Sequence, residues 1–269
     1  SCSENEIPDP QIPPHLSGCG ENDSECFSAY QNHFNEVIQP IHDRFNAFLA
    51  ECGEAAYPVG EFFEASPHMN LLLYPEPVKF NRSTPLDPGQ FQYLEGCVRD
   101  EESFEVPEFK AHNDGPLLYV SFGSLGSGDT GLLKRLMDVI STMPVRALFN
   151  VGDYESEYDA VPDNVQVASW YPQPSVISQS DVVIHHGGNN SFNECLYFGK
   201  PALIMPYVWD GHDNAKRVAE TGHGCHLHRN HWKPKELRAT IESMLMNESM
   251  QERLAATSTH MRSEPGPTK

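Results

Sequence analysis

The residues after position 116 alternate between short apolar runs and amphipathic segments, and this alternation constrains the fold more than any other feature. The apolar runs occupy 117–122, 145–151, 165–169, 181–185 and 202–205, with a shorter one near 225–227. Helical spacing predicts helices over 130–141, from about Asn190, from about Asp213 and over 234–246. Continuously apolar strands separated by helices are typical of a parallel sheet covered on both faces. We therefore predict an α/β fold with a Rossmann-like, doubly wound parallel sheet, and a Gly/Ser loop over 123–129.

The first half of the chain has a different pattern. Prolines at positions 8, 10, 13 and 14 oppose regular structure, so residues 1–28 are predicted to form a loop or connector. Apolar residues three and four apart predict a helix over 29–52, which Pro40 should kink or divide. A short apolar run at 71–74 lies between proline-rich stretches. The polar stretch 107–115 marks the predicted boundary between a region 1–112 and a region 113–269.

The charge and the cysteines exclude several classes of protein. A net charge of -20 repels nucleic acid and anionic lipid surfaces, so neither is an expected partner. No apolar run approaches the roughly 20 residues that span a bilayer, so we expect no integral membrane segment. The cysteines are odd in number and lack CxxC spacing, which predicts neither a disulfide framework nor a zinc ribbon and favours a reducing cytoplasm. They are Cys2, Cys19, Cys26, Cys52, Cys97, Cys195 and Cys225.

A strand, a glycine turn and a helix follow one another over residues 181–198. In a parallel sheet such a turn lies at the carboxyl edge, where ligands bind. Gly187 and Gly188 permit unusual backbone angles and the close approach of a ligand. The first turn of the next helix offers unpaired N–H groups and a positive dipole end, which together bind an anion without a basic side chain. The sequence therefore predicts an anion site in an acidic protein.

Polar side chains on this helix share one face. Asn190 and Ser191 precede Glu194 by four and three residues, so all three project from nearly the same side. Asn190 and Ser191 can donate to phosphate oxygens, Glu194 can accept from two sugar hydroxyls, and His186 can donate to a second phosphate. Taken singly, Asn190 or Ser191 can equally be a helix cap, and Glu194 a solvated acid of the first turn.

Several motifs in order extend this pattern. They are Trp170 to Gln173, His186 to Ser191, Glu194, Gly199 to Pro201, and Pro206 to Asp210 followed by Asn214 and Ala215. Together they resemble the donor-binding signature of family 1 glycosyltransferases of the UDP-glycosyltransferase type, which have the GT-B fold. The resemblance implies that 113–269 is the donor-binding C-terminal domain and that 1–112 is part of an acceptor-side N-terminal domain with its linker. It also implies truncation before Ser1 and within 262–269.

The resemblance assigns a role to each matching residue. Trp170 would stack on the base of the donor, although the alternative is a core or interface tryptophan. Gln173 would contact the nucleoside, and Asp210 would bind hydroxyls of the transferred sugar. The remaining donor-binding residues are Ser124, His186, Gly188, Asn190 and Ser191 for the diphosphate and Glu194 for the ribose. Many relatives have Gln where this chain has Gly211, so the identity of the sugar is left open.

The resemblance implies transfer of a sugar from a UDP- or dTDP-linked donor to a hydroxyl of a small, lipophilic acceptor. The expected reaction inverts the anomeric carbon, uses no metal ion and needs no cofactor besides the nucleotide sugar. The general base is expected to be a His upstream of Ser1, so no catalytic residue is assigned within the chain. Two alternatives stay open: a non-catalytic nucleotide-sugar-binding fragment, and a nucleotide-sugar epimerase. His226 and His228 share a strand face and raise the question of a metal site, which neither their spacing nor the resemblance favours.

Overall fold

The computed structural model describes residues 4–62 and 66–264 of the chain. In the first half, a 3-10 helix at Glu4–Glu6 precedes a long helix α1 (Ser24–Cys52). Two short strands, β1 (Asn70–Leu72) and β2 (Phe91–Tyr93), pair in parallel, with a 3-10 helix at Glu76–Val78 between them. The apolar run at 71–74 thus corresponds to β1, whereas β2 was not predicted.

Helix α1 is longer than its apolar pattern predicted. Asp23 caps it, because its carboxylate accepts a hydrogen bond from the N–H of Cys26 at 3.0 Å. Pro40 was predicted to kink or divide the helix; it does not divide it, since α1 is continuous from Ser24 to Cys52, and the kink stays a prediction. Pro40 lies on the exposed side, where water can satisfy the main-chain carbonyl of Glu36 that lacks a helical donor.

The second half contains alternating strands and helices. Its strands are β3 (Leu117–Ser121), β4 (Arg146–Asn150), β5 (Val165–Ala168), β6 (Val182–His185), β7 (Ala202–Ile204) and β8 (Gly224–His226). Its helices are α2 (Gly123–Gly126), α3 (Thr130–Ile140), α4 (Gln173–Gln179), α5 (Asn189–Phe198), α6 (Gly211–Thr221), α7 (Pro234–Met246) and α8 (Glu248–Ser263). The predicted strands and longer helices are confirmed to within a few residues. The loop predicted over 123–129 is wrong in part because α2 occupies its beginning, and α4 and α8 were not predicted.

Within the described residues the six strands of this half form one parallel sheet in the order β5-β4-β3-β6-β7-β8. The chain winds outward from β3 to β5, returns to place β6 beside β3, and then winds outward on the other side. The doubly wound, Rossmann-like sheet predicted from the sequence is therefore confirmed. The order reverses between β3 and β6, and ligands bind at the carboxyl ends of strands at such a reversal.

The two central strands form the centre of the core. Every residue of β3 and β6 is buried, which explains why both are apolar along most of their length instead of alternating. Tyr74, Val78 and Phe80 from the first half join the same hydrophobic cluster, and Tyr74 stacks on Phe192 of α5 with ring centroids 5.6 Å apart. The boundary near 107–115 stays a prediction.

The cysteines correct one expectation. Cys19 and Cys26 form a disulfide, which the odd count and scattered spacing did not predict. Such bonds are rare in cytosolic proteins, so this pair counts against the expected cytoplasmic location, which stays a prediction. Cys2 and residues 265–269 of the expected C-terminal truncation lie outside the described residues. No helix in the described ranges is long and apolar enough to cross a membrane.

Candidate functional site

Four loops meet along the carboxyl edge of the sheet and build the candidate site. The loop after β3 leads into α2, the loop after β5 into α4, the loop after β6 into α5, and the loop after β7 into α6. The loops after β3 and β6 flank the reversal of strand order, since Ser121 and His185 are paired residues at the ends of these two strands. The sequence-predicted site residues all lie on these four loops or on the first two turns of the helix that follows.

Neighbouring groups approach both glycines after β6 closely. Gly187 has a φ of 90°, and a Cβ atom there would lie 2.8 Å from both Cα of Gly211 and Cγ2 of Ile204. A Cβ atom on Gly188 would lie 2.5 Å from Nε2 of His186, so a side chain there would require the imidazole ring to move. The glycine at 187 is therefore required by the backbone, and the turn brings α5 directly to the edge of the sheet.

The amino-terminal end of α5 is partly occupied by a carboxylate. The N–H of Asn189 donates to Oδ2 of Asp210 at 3.0 Å, and Nδ2 of Asn214 donates to the carbonyl of Gly187 at 2.7 Å. The next two N–H groups are those of Asn190 and Ser191. They have no hydrogen-bond acceptor within the helix, because no residue of the helix lies four positions before them. Asn190 is exposed, so an anion can approach this end of the helix from solvent.

Gln173, Ser191 and Glu194 form a hydrogen-bonded cluster. Nε2 of Gln173 donates to Oε2 of Glu194 at 2.6 Å and to Oγ of Ser191 at 3.1 Å. Gln173 begins α4 and the other two lie on α5, so two loops that are separate in sequence converge here. Ser191 and Glu194 are both buried, which is inconsistent with Glu194 as a solvated acid of the first turn.

Glu194 has a second partner from a distant part of the chain. Nε and Nη2 of Arg99 donate to its Oε1 at 3.2 and 3.0 Å. Burial raises the pKa of Glu194, and the hydrogen bond from Gln173 and the charge of Arg99 oppose that rise. Arg99 was not among the predicted site residues because it lies before an acidic segment with no recognisable motif.

His186 lies between the loops after β3 and β6. Its Nδ1 atom is buried and has no hydrogen-bond partner in the described ranges. Burial lowers the pKa of His186, the main chain of Ser121 opposes this, and the nearby charge of Arg229 lowers it further, so the imidazole is neutral at pH 7. A neutral ring keeps one N–H donor. Ser124 lies exposed on α2 across the reversal point.

Trp170 stands at the surface, with 56% of its area exposed. The next residue, Tyr171, is buried and packs edge-on against Tyr119 and Phe104, with ring centroids 6.0 and 5.5 Å apart. Tyr171 therefore holds the loop while Trp170 projects from it. This excludes the alternative of a core tryptophan.

A cavity of about 870 Å³ lies beside these loops, on the β7–β8 side. Arg229 lines it, stacks its guanidinium over the ring of Tyr207 at 3.6 Å from the centroid, and pairs with Asp129. Its Nη1 atom is buried and has no partner among the residues that the structure describes. Lys216, His212 and His228 also line the cavity, so it concentrates basic groups in an acidic protein. Sequence reasoning considered this His-rich segment only as a metal site.

The structure thus brings the predicted residues to one edge of the sheet, in three groups. Gln173, Ser191 and Glu194 contact one another directly. Gly188 and His186 lie in close approach, and Asp210 holds the start of α5. Their roles in binding a donor stay predictions.

The chain is similar to known proteins in both sequence and structure. Residues 135–269 match the family model described as "Erythromycin biosynthesis protein CIII-like, C-terminal domain". The chain is 26% identical over 151 residues to the "Uncharacterized UDP-glucosyltransferase YdhE" of Bacillus subtilis (strain 168), over 55% of this chain and 38% of that protein. The solved glycotransferase of kitacinnamycin superposes with a TM-score of 0.74 at 22% identity, over 89% of this chain and 63% of that one. The spinosyn rhamnosyltransferase SpnG, complexed with thymidine diphosphate, superposes with a TM-score of 0.64 at 20% identity, over 82% of this chain and 58% of that one.

These matches confirm the predicted GT-B-type α/β fold. The chain spans about two fifths of the curated relative and less than two thirds of each solved chain. The structural similarity therefore covers most of this chain but only part of each longer protein.

Proposed function

Because the chain belongs to the erythromycin biosynthesis protein CIII-like C-terminal domain family of glycosyltransferases, we propose that it binds a nucleoside diphosphate sugar for transfer of the sugar to an acceptor hydroxyl. The observation that carries this proposal is the Gln173–Ser191–Glu194 cluster beside the amino-terminal end of α5, at the reversal point of the sheet. A buried carboxylate held by two donors is suited to accept hydroxyls of a ribose, and the helix end is suited to a diphosphate.

Each predicted residue has a place in this arrangement. Trp170 offers an exposed ring on which a base stacks, and Gln173 adjoins it at the start of α4. Glu194 receives the ribose. The diphosphate is bound by Ser124, His186, Gly188, Asn190 and Ser191. Asp210 binds hydroxyls of the sugar with the oxygen that Asn189 does not use.

The diphosphate is the leaving group, so its developing charge must be stabilised. Main-chain N–H groups at a helix end do this without reorganising and without a metal ion, which supports a metal-independent reaction. His186, whose pKa is lowered by burial, adds an N–H donor from its neutral ring. We propose inversion at the anomeric carbon, with a general base taking the proton of the acceptor.

The donor is proposed to be UDP- or dTDP-linked. The curated relative is named as a UDP-glucosyltransferase, and one structural neighbour was solved with thymidine diphosphate. Gly211 has no side chain to assist Asp210, and a Cβ atom there would lie 2.5 Å from the carbonyl oxygen of His186. A glutamine therefore cannot enter this position without movement of the turn, and sugar recognition depends on Asp210 and its other neighbours.

The acceptor is proposed to be small and lipophilic. A second cavity of about 810 Å³ lies between the proline-rich amino-terminal segment and α1, and Ile12, Tyr30, Phe34 and Phe91 contribute to its lining. The segment is held against the sheet half because Asp213 of α6 accepts hydrogen bonds from the N–H groups of Leu16 and Gly18 at 2.6 and 2.8 Å. An apolar cavity thus adjoins the donor half of the molecule.

Thermal unfolding of the full chain with UDP, dTDP, GDP and their glucose conjugates tests donor binding. A ligand that binds the folded state raises the midpoint, and UDP or dTDP compounds are expected to do so. Glu194→Gln should abolish the shift. The matched control is Glu101→Gln, since Glu101 pairs with Nη1 of the same Arg99 at 3.1 Å. An unchanged shift in Glu194→Gln, or no shift with any nucleotide, contradicts the proposal.

Transfer itself needs a separate assay, in which the chain is incubated with the donor that binds and a panel of lipophilic alcohols and phenols. Glycosylated product detected by mass spectrometry supports a transferase. Donor binding without product identifies a nucleotide-sugar-binding fragment that lacks its base. Conversion of the donor to an epimer without any acceptor contradicts the transferase proposal.

A further inference from the structure

Three potential metal ligands from distant parts of the chain meet outside the donor site. Glu76 lies in the 3-10 helix after β1, Glu95 lies just after β2, and His260 lies on α8. One ligand atom from each lies within 4.8 Å of the other two. No residue of the His-rich segment at 225–231 belongs to this group. We call the three residues the Glu76–Glu95–His260 cluster.

Glu95 is the buried centre of the cluster. Only 2% of the residue is exposed, and its Oε2 atom accepts a hydrogen bond from the N–H of Glu76 at 2.9 Å. Its Oε1 atom is buried and has no hydrogen-bond partner among the described residues. Leaving such an oxygen unpaired is costly, because a buried carboxylate loses its hydration without compensation.

His260 faces this carboxylate from α8. Its Nε2 atom lies 3.3 Å from Oε2 of Glu95 and 4.0 Å from Oε2 of Glu76. The same Nε2 atom is buried and makes no hydrogen bond of acceptable geometry within the described ranges. Glu76 is half-exposed, and its other oxygen pairs with Lys79 at 2.7 Å. Two carboxylates and one imidazole therefore converge, with a buried oxygen and a buried nitrogen both lacking hydrogen bonds.

We propose that the Glu76–Glu95–His260 cluster binds a divalent transition-metal ion, most suitably zinc. Ligands at about 2.0–2.1 Å from tetrahedral zinc lie about 3.3 Å apart, which matches the separation of Glu95 and His260. An imidazole with carboxylates suits zinc, whereas calcium and magnesium take oxygen ligands. Water completes the coordination on the exposed side, where Glu76 can move to close the remaining distance.

The bound ion joins α8 to the β1–β2 segment. The three ligands come from parts of the chain that are far apart in sequence, so one ion closes long loops and stabilises the folded state. The donor residues lie instead on loops at the carboxyl edge of the sheet. This structural role leaves the proposed metal-independent chemistry unchanged.

Metal binding is tested on the full chain after treatment with a chelator. Isothermal titration with Zn²⁺ should give one site per chain, and thermal unfolding should show a raised midpoint with the ion. His260→Gln and Glu95→Gln should each weaken binding at least about tenfold, since even residues that only support a ligand cost that much when removed. The control is His228→Gln, an exposed histidine stacked on His231 at 4.2 Å between ring centroids, which should bind as the unchanged protein does.

A second readout identifies the ligands without reference to stability. Co²⁺ in this site should give weak visible bands and lack the intense absorption of a thiolate ligand, so binding by one of the cysteines is recognised directly. The proposal is overturned if the unchanged protein binds no Zn²⁺ or Co²⁺, if thiolate absorption appears, or if His260→Gln binds as tightly as His228→Gln. Should Glu95→Gln fail to fold, His260→Gln decides the question, because His260 lies at the helix surface with 40% of its side chain exposed.

Discussion

Nη2 of Arg99 lies 3.0 Å from Oε1 of Glu194, so a residue of the segment between the two halves holds the carboxylate proposed to bind the ribose. Arg99 donates twice to Oε1, and Gln173 donates once to Oε2. A carboxylate has about four acceptor positions, of which three are thus used. Two ribose hydroxyls can both bind Glu194 only when Arg99 moves away.

Arg99→Ala is therefore expected to tighten nucleotide binding. Half of the Arg99 side chain is exposed, so displacing it costs only as much as a surface ion pair, about 0.2–1 kcal/mol. The dissociation constant for UDP, whose ribose carries two free hydroxyls, should fall about 1.4- to 5-fold by calorimetry, and less at high salt. Arg44→Ala, at an exposed position on α1, should leave the dissociation constant unchanged. Weaker binding by Arg99→Ala would show that its charge assists the diphosphate instead.

Trp170→Ala should weaken binding of the nucleotide without altering stability. Stacking of a base on an aromatic ring contributes about 1–3 kcal/mol, so the affinity should fall about 5- to 150-fold. The exposed ring contributes little to the core, so the unfolding midpoint without ligand should stay the same. Phe48→Ala is the control, because Phe48 is 59% exposed on α1 and Trp170 is 56% exposed. Equal affinities for the two variants argue against a base-stacking role.

Gly187→Ala should destabilise the fold more than the same change at another glycine with positive φ. Gly53 has a φ of 79° and nothing within 4 Å of an added Cβ, so Gly53→Ala measures backbone strain alone, about 1–2 kcal/mol. Gly187→Ala adds contacts at 2.8 Å with Gly211 and Ile204, which should cost about 1–3 kcal/mol more. Urea unfolding gives both free energies. Similar losses for the two variants would show that the turn can relax.

His223 should make the folded state less stable in acid. Burial, followed by the charges of Arg253 and Arg217, lowers its pKa from 6.5 to about 4, and its two ring nitrogens face Thr221 and Thr257 at 2.9 and 2.8 Å. Between these pH values the unfolded chain takes up a proton that the folded protein does not. The free energy of unfolding attributable to His223 thus falls as the pH drops from about 6.5 to 4, by up to about 1.4 kcal/mol per pH unit.

His223→Asn removes that contribution and should be compared with the unchanged protein over the same pH range. Subtracting the unfolding free energy of the variant from that of the unchanged protein isolates the residue, because all other titratable groups are common to both. The difference should shrink as the pH drops from 6.5 to 4. A difference that stays level would mean that His223 is protonated in the folded protein.

Much of the fold of residues 117–246 could be predicted from the sequence, because its signals are local. Strands β3, β6 and β7 are buried along their whole length and are therefore largely apolar, and each of the longer helices of this range shows its own spacing. The turn at Gly187–Gly188 could be recognised for the same reason. The shorter helix α4 and the strand β2 lack such a pattern and were not predicted.

Contacts between distant residues could not be predicted in this way. Arg99 reaches Glu194 because the segment after β2 passes over α5, and nothing in the residues next to Arg99 indicates this. The pairing of Cys19 with Cys26 and the meeting of Glu76 and Glu95 with His260 likewise depend on the path of the backbone. The continuity of α1 through Pro40 depends on the solvent exposure of that position.

The sequence alone determined the order of strands and helices, the glycine turn and the residue types at the edge of the sheet. Periodic burial and steric limits on the backbone act over a few residues, so neighbouring residue types are enough to recognise them. Only the tertiary structure decided that Arg99 and Gln173 hold Glu194, that Asp210 occupies the first N–H of α5, and that His260 faces Glu95. The reason is that a contact between residues distant in sequence depends on the backbone path and packing of all the elements that lie between them.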